Sequence, residues 1–323
     1  MGALRRLTVE QQVGLLFVTL FGLLALVTIV AVLRALRDDT DAEAAAARRA
    51  ILHDLRAVWV GAVLFWIAWA SGAFVATLLF ALVSFIALRE FITLTHTRRG
   101  DHRSLIAAFF VVLPVQYVLA GSRSFNLFSV FIPVYAFAAL PILGALGNDP
   151  TRFLERTAKI QWGTMVCVYG MSHAPALLLL DFPRHEGRGA FLVLFLVLVV
   201  AAAQVAQHAA GKRLRALPAA RQISRSFTWQ AWGLGALAGG FVGLLLYWAT
   251  PFKAGQALFM GFAAGGAGTL GELVMNALKR DAGVRHWGGR PTVTGAVGLL
   301  DRVAPLCFAA PVFFHSVRWY FGV

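Results

Sequence analysis

Long apolar runs alternate with short polar connectors along the whole chain, and these runs set the architecture. They fall at residues 13–33, 57–70, 74–88, 104–120, 126–146, 161–180, 190–210, 231–249, 254–278 and 303–321. Runs of about 20 apolar residues carry a helix across a hydrocarbon layer of roughly 30 Å. In that layer a backbone must satisfy its own hydrogen bonds, which an α-helix does within one segment. The pattern therefore predicts about ten transmembrane helices. The stretch 57–88 is too long for one span and is interrupted at Ser71-Gly72, which predicts two helices joined by a tight turn. The first run reads as a retained helix rather than a signal peptide, because five arginines follow it before the next run.

Composition agrees with the pattern. Hydrophobic residues make up 59% of the 323 positions and charged residues 14%, and the mean hydropathy is +0.73, outside the range of soluble domains. The expected fold class is all-α: a polytopic integral membrane bundle forming a single domain over residues 1–323. The formal net charge of +14 does not mark a nucleic-acid binder, since the basic residues lie in connectors and not on a separate domain. Alternate connectors hold 22 of the 29 Lys and Arg, the one-sided bias of the positive-inside rule. Both termini are thus expected outside, with the residue 279 loop inside.

Three stretches of the connectors carry little chemistry. Residues 33–56 are Ala-rich with mixed charge and predict a cytoplasmic helical connector capped at Asp38 or Asp39. The segments REFITLTHTRRGDHR and GNDPTRFLERTAKIQW mix apolar and basic residues at helical spacing, as expected of interfacial segments near anionic headgroups. Cys167 and Cys307 both lie in apolar runs, which implies small packing residues and no disulfide or metal framework.

Three polar constellations fall on the predicted cytoplasmic side, within residues 204–315. The first closes the seventh run with Gln204, Gln207, His208 and Lys212. It reads equally as a polar cavity and as interhelical hydrogen bonding. The second offers Ser224, Ser226 and Thr228 before a Gly-rich helix, either a phosphate cradle or ordinary capping. In the third, Glu272, Asn276 and Lys279 are spaced by four and three residues, which puts them on one helix face with Arg280 alongside. A carboxylate this deep in a membrane helix needs a partner or an aqueous cavity. Asp281, Arg285, His286, Arg290, Asp301 and Arg302 follow. Hard carboxylate oxygens suit Mg²⁺, and Lys and Arg suit phosphates.

These residues resemble the phosphatidate cytidylyltransferases (CDP-diacylglycerol synthases), whose signature runs Ser-x-x-Lys-Arg, Lys-Asp, His-Gly-Gly and Asp-Arg-x-Asp. Lys279, Arg280, Gly298, Asp301 and Arg302 match it, and weaker resemblance extends back to the REF at Arg89. The departures are as informative. Asn276 stands for the signature Ser, Arg285 and His286 for Lys-Asp, Ala296 and Val297 for His-Gly, and Ala304 for the final Asp. Upstream, Gln204 replaces an Asp. Phe227 and Gln230 replace the Lys and Glu of a Ser-Pro-x-Lys-Thr-Trp-Glu-Gly loop. Glu272 for Asp is the one conservative exchange.

The resemblance implies a protein of phospholipid biosynthesis in the bacterial inner (plasma) membrane, binding phosphatidate-like lipid and CTP at a cytoplasm-facing cavity. Members of the family join the two and release pyrophosphate. Losing one transition-state charge contact costs on the order of 100- to 1000-fold in rate, so several losses imply that ordinary transfer is weak or absent. Any remaining transfer would fall to Asp301 and Glu272 with Mg²⁺. Lys279, Arg280, Arg302, Arg285, Asn276, Ser224, Thr228 and Lys212 would bind phosphate. The alternative is a non-catalytic lipid-binding subunit that regulates or scaffolds a lipid-synthesis partner; the expected protein partner is that one or further copies of this chain in a homo-oligomer. A transporter fits less well, as no paired broken helices are seen.

Overall fold

The computed structural model describes residues 7–35, 42–95, 97–182, 188–214, 216–284 and 298–322. Among them the regular structure is helical and no strand forms. The helices are α1 (Val9–Ala35), α2 (Ala42–Ser71), α3 (Ala73–Thr93), α4 (Arg99–Gly121), α5 (Phe125–Ala145), α6 (residues 153–179), α7 (Gly189–Arg213), α8 (Trp229–Leu245), α9 (Ala254–Asp281) and α10 (Leu299–Phe321). Each predicted run lies on one of them. Six, namely α1, α3, α4, α5, α7 and α9, are long and apolar enough to cross a membrane.

The break at Ser71-Gly72 is where the sequence places it. Gly72 takes φ +86 between α2 and α3, a left-handed conformation that costs glycine little. The second half of the residue 33–56 connector differs in detail, since it runs unbroken into the following span as one 30-residue helix. Its expected cap at Asp38 or Asp39 lies outside the described residues.

Where the sequence suggests one domain, the chain divides into two compact units, Met1–Ala76 and Thr77–Val323. In the first, α1 packs on α2 through rings: Phe17 meets Trp66 edge-on at 5.0 Å and Phe21 meets Trp59 at 5.6 Å. The indole N–H of Trp59 donates to Thr28 Oγ1 at 2.9 Å.

In the second unit α7, α8, α9 and α10 approach closely because their contact faces are glycine and alanine. A Cβ on Gly261 of α9 would lie 2.6 Å from the Gly239 carbonyl oxygen of α8. One on Gly170 of α6 would lie 2.3 Å from the Cys307 carbonyl oxygen of α10. Lipid gives helices no hydrophobic reason to associate, so backbone contact of this kind supplies dispersion that bulkier residues would forfeit. Helices α4, α5 and α6 each contain a π-helical turn, at Ala108–Val112, Phe131–Ala136 and Met165–Gly170. Pro133 lies within the second and Pro114 just beyond the first, where a missing N–H and ring crowding loosen the regular ladder.

The connectors before α4 and α6 are tied by an ion-pair knot. Arg156, whose side chain is only 6% exposed, reaches Asp101 and Asp149 at 3.2 Å each and donates to the Asp149 backbone carbonyl at 2.6 Å. The Thr151 backbone N–H, followed by Arg156 and Arg98, holds the Asp149 carboxyl below the usual range. Arg156 therefore faces inward, and is not one of the headgroup-facing cations expected of an interfacial segment.

The glycine packing predicts opposite responses at two positions of one helix. Gly261→Ala should destabilise the protein by about 1–3 kcal/mol, because the new methyl overlaps α8. Gly255→Ala, where nothing lies within 4 Å, should cause no loss. Thermal midpoints of the two purified variants in detergent check this.

Candidate functional site

The end of α7 meets the end of α9 at Glu272. Gln204 Nε2 donates to Glu272 Oε2 at 3.2 Å, and His208 Nε2 sits 3.0 Å from Oε1. The other ring nitrogen of His208 lies 2.9 Å from the Gln204 carbonyl. A carbonyl only accepts, so Nδ1 carries a proton, and Nε2 and the Glu272 oxygen must share a second one. The first and third constellations thus converge on one carboxylate. Gln207 is buried instead against α8, beside Gly235.

Two helical turns further along α9, Lys279 Nζ reaches Asp301 Oδ1 of α10 at 2.8 Å. Both side chains are largely covered, at 16% and 23% exposure. The four-and-three spacing has placed Glu272 and Lys279 on one stripe, with Asn276 half-buried between them. Lys212, Arg280, Asp281 and Arg302 are exposed around this end of the bundle. Arg285, His286, Arg290, Ala296 and Val297 lie outside the described residues.

The loop before α8 rests on α7, where a Cβ on Gly211 would lie 2.3 Å from the Ser226 carbonyl oxygen. Ser224 and Ser226 hydroxyls are 3.4 Å apart. Thr228 is the N-cap of α8: its Oγ1 accepts the Ala231 N–H at 3.0 Å, and the residue is 2% exposed. It acts as a cap, and its expected phosphate contact has no open surface to use. Phe227, standing where a lysine was expected, is also buried. Ala304 packs with Leu300, Met275 and Cys307 in an apolar cluster, with no room suited to a carboxylate.

One acid at this end was not singled out from the sequence. Glu90, near the end of α3 and 2% exposed, accepts the Leu299 N–H at 3.2 Å and the Leu300 N–H at 2.8 Å, one on each carboxylate oxygen. The signal available was an acid beside Arg89 at the end of an apolar run. Its partner lies 209 residues downstream.

Among the described residues no three His, Cys, Asp or Glu side chains gather as a metal site. The two acids expected to hold Mg²⁺ are each bound to protein nitrogens, Glu272 to His208 and Gln204 and Asp301 to Lys279. As they stand, the described donors do not form a Mg²⁺ site.

Fold and site together define a helical membrane protein with a group of cations and paired acids at one end of its bundle. The chain belongs to the cytidylyltransferase family, whose profile matches residues 54–320. It is 36% identical over 248 residues to "Uncharacterized protein YnbB" of Escherichia coli (strain K12), an alignment that covers 74% of this chain and 78% of that one.

The capping role of Thr228 is open to test. Thr228→Val should lower stability by about 1 kcal/mol, and Thr228→Ser should restore it. Denaturation of the purified variants in mixed micelles reads the difference.

Proposed function

We propose that this protein binds phosphatidate-type lipid, with CTP as the second ligand, in the inner membrane, through a cytoplasm-facing site whose ordinary CTP transfer is weak or lost. Ten spans with both termini outside would place the ends of α7 and α9 and the start of α10 at the cytoplasmic face. The observation that carries this reading is the state of the two remaining acids. Transfer requires a lipid phosphate oxygen to attack the α-phosphorus of CTP in line, with charge stabilisation around the leaving pyrophosphate. Glu272 and Asp301 are committed to His208 and Lys279, and would have to exchange those partners before either could hold Mg²⁺.

The cations have fared better. Lys279, Arg280, Arg302 and Lys212 lie at one end of the bundle, and Ser224 and Asn276 are half-buried there. Such a set favours an anionic headgroup without supplying the means to turn it over. The same observation favours a second reading, a lipid-binding subunit that regulates or scaffolds a lipid-synthesis partner.

A conversion assay on the purified protein with phosphatidate, CTP and Mg²⁺, run beside Asp301→Ala, separates the outcomes. The expected result is little or no CDP-diacylglycerol with retained binding of lipid. Robust turnover abolished by Asp301→Ala would overturn the weak-transfer reading and assign Asp301 a catalytic role.

A further inference from the structure

Further along α10, two imidazoles and a phenol meet. Tyr169 and His173 lie four residues apart on α6, which puts them on one face, and His315 comes from α10. The His173 ring is 4.4 Å from the Tyr169 ring and 5.0 Å from that of His315, centroid to centroid. His315 stands about 21 Å along the helix from Asp301 at 1.5 Å per residue, so the group is separate from the site described above. The π-helical turn of α6, Met165–Gly170, falls on Tyr169, and such turns recur at functional sites.

His173 is arranged to offer a lone pair. It is fully buried, and its Nδ1 lies 2.7 Å from the Tyr169 carbonyl oxygen. A carbonyl only accepts, so Nδ1 carries the proton and Nε2 keeps an unshared pair. Nε2 has no hydrogen-bond partner among the described residues, an exception that calls for a cause. The Phe128 and Phe314 rings, at 4.6 and 5.2 Å, can supply no donor. The same Tyr169 carbonyl accepts the Ser172 hydroxyl at 2.9 Å, and Ser172 Oγ accepts the Gln116 amide of α4 at 3.1 Å. A carbonyl held on one ring nitrogen, leaving the other bare, is the outer support that metal-binding histidines use.

The spacings are those of a tetrahedral ion. Zn²⁺ bound at about 2.0–2.1 Å puts two imidazole centroids about 5 Å apart and two donor atoms about 3.3 Å apart. His173 and His315 meet the first spacing. Tyr169 Oη and His315 Nε2, at 3.4 Å, are long for a hydrogen bond and meet the second. We propose that His173 Nε2, His315 Nε2 and the Tyr169 oxygen form a Zn²⁺ site that joins α6 to α10. Imidazole suits this class of ion. The phenol releases its proton to solvent as the ion binds, and the fourth position is left to water. Tyr169 and His315 are half-buried, which leaves a way in. The site does not rest on the proposed lipid function.

The test is equilibrium dialysis against Zn²⁺ of the full-length chain, purified in detergent with a tag free of histidine and stripped with EDTA, at about pH 8, above the ordinary imidazole range. One ion per chain is expected, with tyrosinate absorption appearing as it binds. His315→Ala and His173→Gln should each weaken binding at least about tenfold, and Tyr169→Phe should abolish the tyrosinate signal. If the buried His173→Gln fails to fold, the half-buried His315 and Tyr169 variants carry the test. Three results would overturn the proposal: no saturable binding, unchanged affinity in a folded histidine variant, or binding without the tyrosinate signal.

Discussion

Everything at the candidate site depends on how closely α7, α8, α9 and α10 come together. Glycine and alanine on the facing sides let carbonyl oxygens of one helix rest where side chains of another would be, as at Gly239 and Gly261. Side chains as short as Glu and Gln can then bridge from α7 to α9, and a single lysine can reach from α9 to α10. Bulkier contact faces would hold these groups apart. The glycines near residues 261–271 thus serve packing.

With the helices fixed, charge governs the rest. A membrane helix tolerates a carboxylate when a cation, a donor or water meets it, and this bundle meets four of its described acids with protein groups. Glu272 has an imidazole and an amide, Asp301 an ammonium, Glu90 two backbone N–H groups, and Asp101 the buried guanidinium of Arg156. Relative to the family's signature, acids and one lysine have been exchanged for neutral or apolar residues, and Phe227 and Ala304 show how: both have been taken into the apolar interior. Restoring an acid at Ala304 would therefore bury a charge in a place rebuilt without it, at a cost of several kcal/mol unless a partner came with it.

Much of this was legible in the chain. Apolar run length announced the helices, the Ser71-Gly72 interruption marked a real left-handed turn, and the spacing of Glu272 and Lys279 put them on one stripe. The family followed from Lys279, Arg280, Asp301 and Arg302. What the sequence concealed was pairing across distance. Glu90 looked like part of an interfacial segment because its partners are backbone amides, which carry no residue identity. Arg156 looked like an interfacial cation because a local pattern does not say which way a guanidinium turns. Thr228 read both as cap and as cradle, since the same hydroxyl at a helix start serves either use, and only its burial decides.

The central claim is that the site has kept its grip on phosphate while its acids are satisfied from within. The most direct measurement is equilibrium binding of short-chain phosphatidate to the purified protein in EDTA, beside Lys279→Ala. The account predicts saturable binding without any divalent cation, weakened about tenfold or more when the ammonium is removed. Binding that appears only with Mg²⁺, or that is indifferent to Lys279, would contradict it.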